Sequence, residues 1–565
     1  MTTFNKNIFR SQTLLGVAIT ALLWGCSPST SADKTTQKSM EQSSSNYVFG
    51  PSADLIEKHM AFLASDDLLG REAGSVGYDV SAQYVADEFK KIGLKPAGEN
   101  GTYFQNVRLK RAYRDASAGR VTAVDSKGNT VDLVNGVDYA IGASVSNPES
   151  RVSGEVVFAG YGIVAPKEGR DDYVGLDVKG KIVATLARTP SGIQTEERAY
   201  YGSRKGKEAS DRGALAILSL PTPTSEKVYS FERLMTEGRL DSARMSWVKP
   251  EGETYSRAPG LKGGARLSMA GAEKLFLGAP IAWEDVLEAA EAEGGVTPTF
   301  DLPFTVTISQ KSVIDEVSSA NVAGLIEGSD PKLKDQVIVL SAHLDHIGVS
   351  KTDEEDVINN GALDNAAGIA TLFEAARMMQ ANTPPRRSVM FLAVTAEEKG
   401  LLGSQYFAKN PTVPVENIVG NINLDMPILT YDFNDLIAFG GTRSTFNAAI
   451  SKAAQEMGLV LNPDPMPEQG IFTRSDHFRF VEEGIPSVML STGFGNGGEE
   501  AWAEHFAKHY HRPSDDMNST LNFEAAAKFS ELKTRITYTL ANADERPLWN
   551  KGDFFATQFN GPMKD

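Results

Sequence analysis

Between residues 337 and 343 the chain reads VIVLSAH, and Val337 to Leu340 are apolar without a break. Such a β-branched and aliphatic run marks a central parallel strand buried on both faces. It stops at His343, Asp345 and His346, so polar groups gather where a buried strand ends. Comparable runs recur at SVMFLAVTA, IVGNINLD, LIAFG and IPSVMLS. Between them lie segments with helical spacing at Ala366 to Gln380, Ser444 to Met457 and Asp476 to Glu483. Strands alternating with helices from about Phe304 to Ala543 predict an α/β class, a mostly parallel sheet covered on both faces. Its site belongs at the carboxyl ends of the strands.

Upstream the texture changes. Ala53 to Leu68 and Tyr78 to Ile92 carry apolar residues at three-and-four spacing, with Gly70 and Gly93 as stops, and predict two helices. From about Arg120 to Lys311 short strands and glycine turns prevail. VTAVDSKGNTVDLV reads as a hairpin around Lys127-Gly128, SGEVVFAGYGIVAP and GKIVATLAR as strands, and a helix leads into GALAILSLP. This stretch contains no histidine, which argues against a metal site within it.

At the amino end, Lys6 and Arg10 precede an apolar run from Leu14 to Trp24, followed by Gly25 and Cys26. The run is well short of the roughly 20 residues that span a bilayer, so an export signal is expected. Leu23-Trp24-Gly25-Cys26 resembles a bacterial lipobox, with Trp24 bulky for that motif. The resemblance implies cleavage before Cys26, a lipid on its sulfur and a place in the bacterial envelope, on the outer membrane by the Ser27 that follows. Ordinary signal cleavage beside an incidental cysteine is the alternative. Residues 27 to 46, rich in Ser, Thr and Gln, read as a flexible tether.

Composition narrows the chemistry. A formal charge of −17 and a pI near 5.1, with no Lys/Arg run, argue against nucleic acid as a partner. Cys26 is the only cysteine, so a mature chain that has it lipidated has no thiol nucleophile and no disulfide. No G-x-S-x-G elbow supports a serine hydrolase.

Acids and histidines at the strand ends remain. A histidine with a carboxylate two residues on suits metal ligation, the imidazole binding and Asp345 taking its other ring proton. Asp364, in a Leu-Asp-Asn-Ala-Ala-Gly turn, could cap a helix; Glu397-Glu398 could be a solvated turn; Asp425 could anchor a loop. Together with His343 and His511 they are harder to dismiss.

The motifs His343-Leu344-Asp345-His346, Gly361-Ala362-Leu363-Asp364-Asn365, Thr395-Ala396-Glu397-Glu398, Asn423-Leu424-Asp425 and Tyr510-His511 resemble, in order and spacing, those of the two-zinc aminopeptidase family. Its relatives include glutamate carboxypeptidase, transferrin receptor and glutaminyl cyclase. The resemblance covers nearly the whole mature chain. It implies two Zn²⁺ ions, one held by His343 and Asp425, the other by Glu398 and His511, with Asp364 bridging. It further implies Asp345 as the group orienting His343, Glu397 as general base toward a water shared by the ions, and Tyr510 as donor to the tetrahedral oxygen. The expected activity is that of an exopeptidase on peptide substrates, an aminopeptidase first. A carboxypeptidase and a single-zinc glutaminyl cyclase-like transferase are the alternatives.

The block GYGIVAPKEGRDDYVGLDVKGKIV with RGALAIL resembles a protease-associated domain. The implied division is a signal over 1–25, a tether over 26–46, a helical part over 47–118, the insert over 119–303 and the catalytic domain over 304–565. His505 and His509 lie one helical turn apart but lack the H-E-x-x-H glutamate; they compete with His511 as ligands. Gly493 to Gly498 satisfies G-x-G-x-x-G, yet Glu499 and Glu500 would repel a pyrophosphate, so a mobile loop near the cleft is expected. Asp476-His477 either lines the pocket or caps a helix.

Overall fold

The computed structural model describes residues 47–351 and 355–565; the export signal, Cys26 and the tether lie outside the described residues. Helix α1 (Ala53–Leu63) starts at Ser52, whose hydroxyl accepts from the Leu55 N–H, and it buries Ile56, Met60 and Leu63. It ends before the expected Leu68 because the chain tightens into a 3₁₀ segment, Asp66–Arg71, in which Leu69 and Gly70 adopt left-handed angles. Beyond that kink the Arg71 side chain lies fully inside the protein. Helix α2 (Val76–Ile92) is capped by Ser75 and stops, as expected, at Gly93 with φ 93°.

Strand β1 (Phe104–Arg114) is followed by β2 (Arg120–Asp125), which forms the predicted hairpin with Thr130–Val131. Four further strands, β3 (Glu149–Phe158), β4 (Ile182–Leu186), β5 (Ala216–Leu220) and β6 (Gly263–Leu267), pair in parallel in that order. Helix α3 (Thr195–Asp211) makes the crossover between β4 and β5. Parallel strands need such a crossover, so this smaller sheet is itself an α/β unit.

Strand β7 (Phe300–Ile326) runs through both sheets. Its first half pairs antiparallel with β2 and β3, its second with β1. The main sheet then follows from β8 (Val337–His343), β9 (Ser388–Val394), β10 (Ile418–Leu424), β11 (Asp435–Phe439) and β12 (Ser487–Thr492). The order β7-β9-β8-β10-β12-β11 places four parallel strands between antiparallel β7 and β11. Every residue of β8, β9 and β10 is buried, the polar Ser341, Asn421 and Asn423 among them.

Alternate side chains serve opposite faces. Ile338 and Leu340 join α1, α2, α4 (Ala367–Gln380) and α6 (Phe523–Asn542) in one core; Val337 and Val339 join Phe407, Phe480 and Ile485 on the other side. Helix α5 (Gly498–Lys508) lies between β12 and α6 in the chain. The smaller sheet's core is continuous with Phe472, Phe478, Trp549 and Phe555, which seats it against the main body. Among the described residues no helix is long and apolar enough to cross a membrane.

Candidate metal centre at the strand ends

Strand β8 delivers His343, β9 leads through Thr395-Ala396 to Glu397 and Glu398, and β10 leads to Asp425. The predicted residues converge. His343 Nε2 lies 3.2 Å from Asp364 Oδ1 and 3.1 Å from Asp425 Oδ1. His511 Nε2 lies 3.3 Å from Asp364 Oδ2 and 3.2 Å from Glu398 Oε2. Asp364 thus offers one oxygen to each pair. A tetrahedral ion with ligand bonds of about 2.0–2.1 Å has ligand–ligand edges of roughly 3.3 Å, so both groups match zinc-sized sites.

Proton positions fit the same reading. His343 Nδ1 lies 3.0 Å from the Asp345 backbone carbonyl, which can only accept, so Nδ1 carries a proton and Nε2 is the nitrogen left facing Asp364 and Asp425, where an ion would take the place of its proton. This corrects the expected task of Asp345. Its carboxylate does not touch the ring but accepts from the Glu397 N–H at 3.0 Å and the Glu398 N–H at 3.3 Å. Beyond His343 the chain has left the strand, and strict alternation no longer sets where Asp345 points.

The loop of Asp364 is similarly built. Gly361 has φ 61°, and an added Cβ would meet Asp364 O at 2.1 Å and the His346 ring at 2.7 Å. Asp515 accepts from the Leu363 and Asp364 N–H groups at 2.9 and 3.0 Å. The capping considered for Asp364 falls to Asn365, whose Oδ1 accepts from Gly368 N at 3.0 Å and whose Nδ2 donates to Leu424 O at 2.8 Å. Asp364 is thereby left free for its two histidines. On the other side Ser341 donates to Asn423 at 2.7 Å, Asn423 to Ser475 at 2.8 Å, and Ser475 to Asp425 Oδ2. Ala396, Met426 and His511 all have positive φ, a strain that concentrates at this cluster.

The electrostatics show a site short of positive charge. Burial, then the Asp425 and Glu398 charges, push Glu397 well above the usual carboxylate range. Burial raises Asp345 to about 7 and Asp476 to about 6. Burial works against His511, yet Glu398 and Asp364 raise it to about 10; the acids likewise hold His343 well above its ordinary value. Burial opposes ionisation of Glu398 too, but His511 and His346 bring it to about 2. So many carboxyls around three imidazoles suit divalent cations. Glu397 accepts no hydrogen bond on its carboxylate among the described residues.

Several participants escaped the sequence reading. His346, fully buried, places Nδ1 2.8 Å from Glu398 Oε1 and 3.9 Å from Asp364 Oδ2; with those two acids it is a second possible histidine for that half. Arg71 donates Nε to Leu344 O at 2.9 Å, Nη1 to Leu63 O and to Asn360 O at 2.5 Å, and Nη2 to Gly361 O at 3.0 Å. It staples the loops of His343 and Asp364 from behind, and nothing in its sequence context signals this. Ser475 and Asn365 carried no pattern either.

Tyr510 stacks on the His511 ring at 3.9 Å, and burial with the Asp364, Glu398 and Glu397 charges pushes its phenol well above 10. Asp476 is buried beside the His343 and Asp425 charges and makes no side-chain cap. His477 turns away against Phe472, and burial pulls it to about 3. His505 is buried in α5 and His509 lies 2.9 Å from Ser514 O; neither joins the cluster. Segment 493–498 is pinned, not mobile, because Asp435 accepts from Gly495 N at 3.0 Å and Tyr431 donates to Gly493 O.

Residues 321–536 match the family model described as Peptidase family M28. Aminopeptidase YwaD of Bacillus subtilis is 25% identical over 246 residues, 43% of this chain and 49% of that protein. A probable zinc metalloprotease of Pyricularia oryzae is 36% identical over 261 residues, 40% of this chain and 51% of its own length. The chain spans about half the length of such curated relatives. Among solved structures, an aminopeptidase from Aneurinibacillus sp. strain AM-1 aligns over 88% of this chain and 95% of its own, at 19% identity and TM-score 0.48. Over residues 321–536 this chain is similar to peptidase family M28.

Proposed function

We propose that the protein is a zinc-dependent exopeptidase, an aminopeptidase that uses two ions. The observation that carries this reading is Asp364, whose two oxygens each face a different histidine–acid pair at tetrahedral-edge distances. His343, Asp425 and Asp364 would hold one zinc; His511, Glu398 and Asp364 the other. The names of the relatives, zinc metalloprotease and aminopeptidase, support the choice of metal and reaction.

Zinc bound there supplies Lewis-acid polarisation of the scissile carbonyl and acidifies the attacking water. Glu397, with its raised affinity for a proton and an uncommitted carboxylate, takes the proton from that water and returns it to the leaving amine nitrogen. Asp345 fixes the turn that separates base from ligand, so Glu397 reaches water while Glu398 reaches metal. Tyr510, braced on His511, donates its hydroxyl to the oxygen on which negative charge develops. Residues 119–303 are read as a protease-associated insert. Cys26 is read as the lipid anchor to the bacterial envelope, a reading that a membrane-bound, normally processed Cys26→Ser variant would defeat.

The test compares aminoacyl anilides with amino-terminally blocked peptides, with chelator and after zinc is restored. Hydrolysis of free-amine substrates that vanishes on chelation is expected. Glu397→Gln should abolish most turnover while keeping about two ions per chain. Loss of metal in that variant would exchange the roles of Glu397 and Glu398, and activity in metal-free protein would end the reading.

A further inference from the structure

Lys399 follows Glu398 in the same turn, and its ammonium lies 2.7 Å from Glu72 Oε1. Glu72 comes directly after Arg71, and its backbone bridges in parallel to His346. Gly348, at φ 80°, makes room for it: a Cβ there would meet Glu72 Cβ at 2.9 Å and Oε2 at 3.2 Å. The Glu72 side chain is thereby laid over Gly348 with Oε1 turned to Lys399.

These contacts close a circuit around one half of the centre. Glu398 adjoins Lys399 in the chain, Lys399 pairs with Glu72, Glu72 is bridged to His346, and His346 Nδ1 returns to Glu398 Oε1 at 2.8 Å. His343 and Asp425 are not members of it. Ion pairs in open solvent contribute little to stability, but here the Lys399 side chain is only 12% exposed. An ammonium so placed turns to another acid when its partner is lost, and those beside it in the chain are Glu397 and Glu398. On Glu398 it would occupy the oxygens that a cation needs.

We propose that Glu72 is a positioning residue that acts through Lys399, holding its ammonium off Glu398. Both Glu398 oxygens then stay open, Oε1 to His346 and Oε2 to the ion shared with His511 and Asp364. The proposal rests on the two-ion reading. In it neither Glu72 nor Lys399 ligates metal or meets substrate.

The experiment measures zinc affinity of the full chain by equilibrium dialysis, kcat/KM against added zinc, and the crystal structure of the metal-free Glu72→Gln variant. Glu72→Gln should weaken the Glu398-side ion about tenfold and leave the His343-side ion within about twofold, with turnover restored by excess zinc. In the metal-free crystals Lys399 Nζ should lie within hydrogen-bond distance of Glu398. Glu72→Gln/Lys399→Met removes the competing charge and should return the affinity to within about threefold of the wild type, while Glu72→Asp should keep part of it. Lys409→Met breaks a pair of the same 2.7 Å length at the end of the helix Leu402–Lys409 and should change neither ion. An unchanged Glu398-side affinity in Glu72→Gln, equal weakening of both ions, or a double variant no tighter than Glu72→Gln overturns the role of Glu72 and leaves two-ion hydrolysis standing. If the wild type takes up no second zinc, the two-ion reading falls; the role of Glu72 then stands with Lys399 Nζ on Glu398 in those crystals and falls with it elsewhere.

Discussion

His343 and Asp425 stand at the ends of β8 and β10, and the His343 side chain is 1% exposed, with its tautomer set by the Asp345 carbonyl. Glu398 and His511 hang from turns; the His511 side chain keeps 24% exposure in a left-handed conformation, and Glu398 is shared with His346. Strand ends in a packed sheet hold ligands rigidly, whereas turns can adjust. If the centre takes two ions as proposed, the difference implies that the half closed by the partly exposed His511 is the less preorganised one, so the ions should differ in affinity, with the His343 side tighter.

The largest effect belongs to the residue both halves share. Asp364→Ala should lose both ions and all measurable turnover, whereas His511→Ala should lose one ion; metal content by mass spectrometry separates them. Retention of both ions without Asp364 would break the comparison outright. Next comes Tyr510→Phe, which keeps the ring on His511 and deletes the hydroxyl. Turnover should fall on the order of 10² to 10³, with KM within a few-fold and both ions bound. A fall only in step with lost metal would make the tyrosine a structural support of the loop-borne half.

His346 sharpens the contrast further. If it orients Glu398 and does not ligate, His346→Ala should weaken the second ion by about 10- to 100-fold in equilibrium dialysis, less than His511→Ala. A complete loss equal to that of His511→Ala would make His346 the ligand.

The smallest effect concerns the apolar floor near the strand-borne half. Burial pulls His477 to about 3, below its ordinary 6.5. The unfolded chain then binds the extra proton first, so the stability held above about pH 6.5 is lost as pH falls toward 3. His477→Phe should flatten this, and its Tm difference from the wild type should change between pH 7 and pH 4. A difference constant with pH would mean that the ring already finds a proton acceptor inside.

Sequence pattern alone determined where the buried strands run and which acids and histidines stand near their ends, because burial on both faces demands an unbroken apolar run and carboxyl ends of parallel strands are open. The helix stops at Gly93 and the hairpin at Lys127-Gly128 were legible for the same local reason. Tertiary structure alone decided the rest. Arg71 reaches Leu344, Asn360 and Gly361 from more than 250 positions away, Asp345 turns its carboxylate to Glu397 instead of His343, and His346 competes for Glu398. Each depends on contacts between segments far apart in the chain, and hydrophobic periodicity reports only which face of its own element a residue occupies.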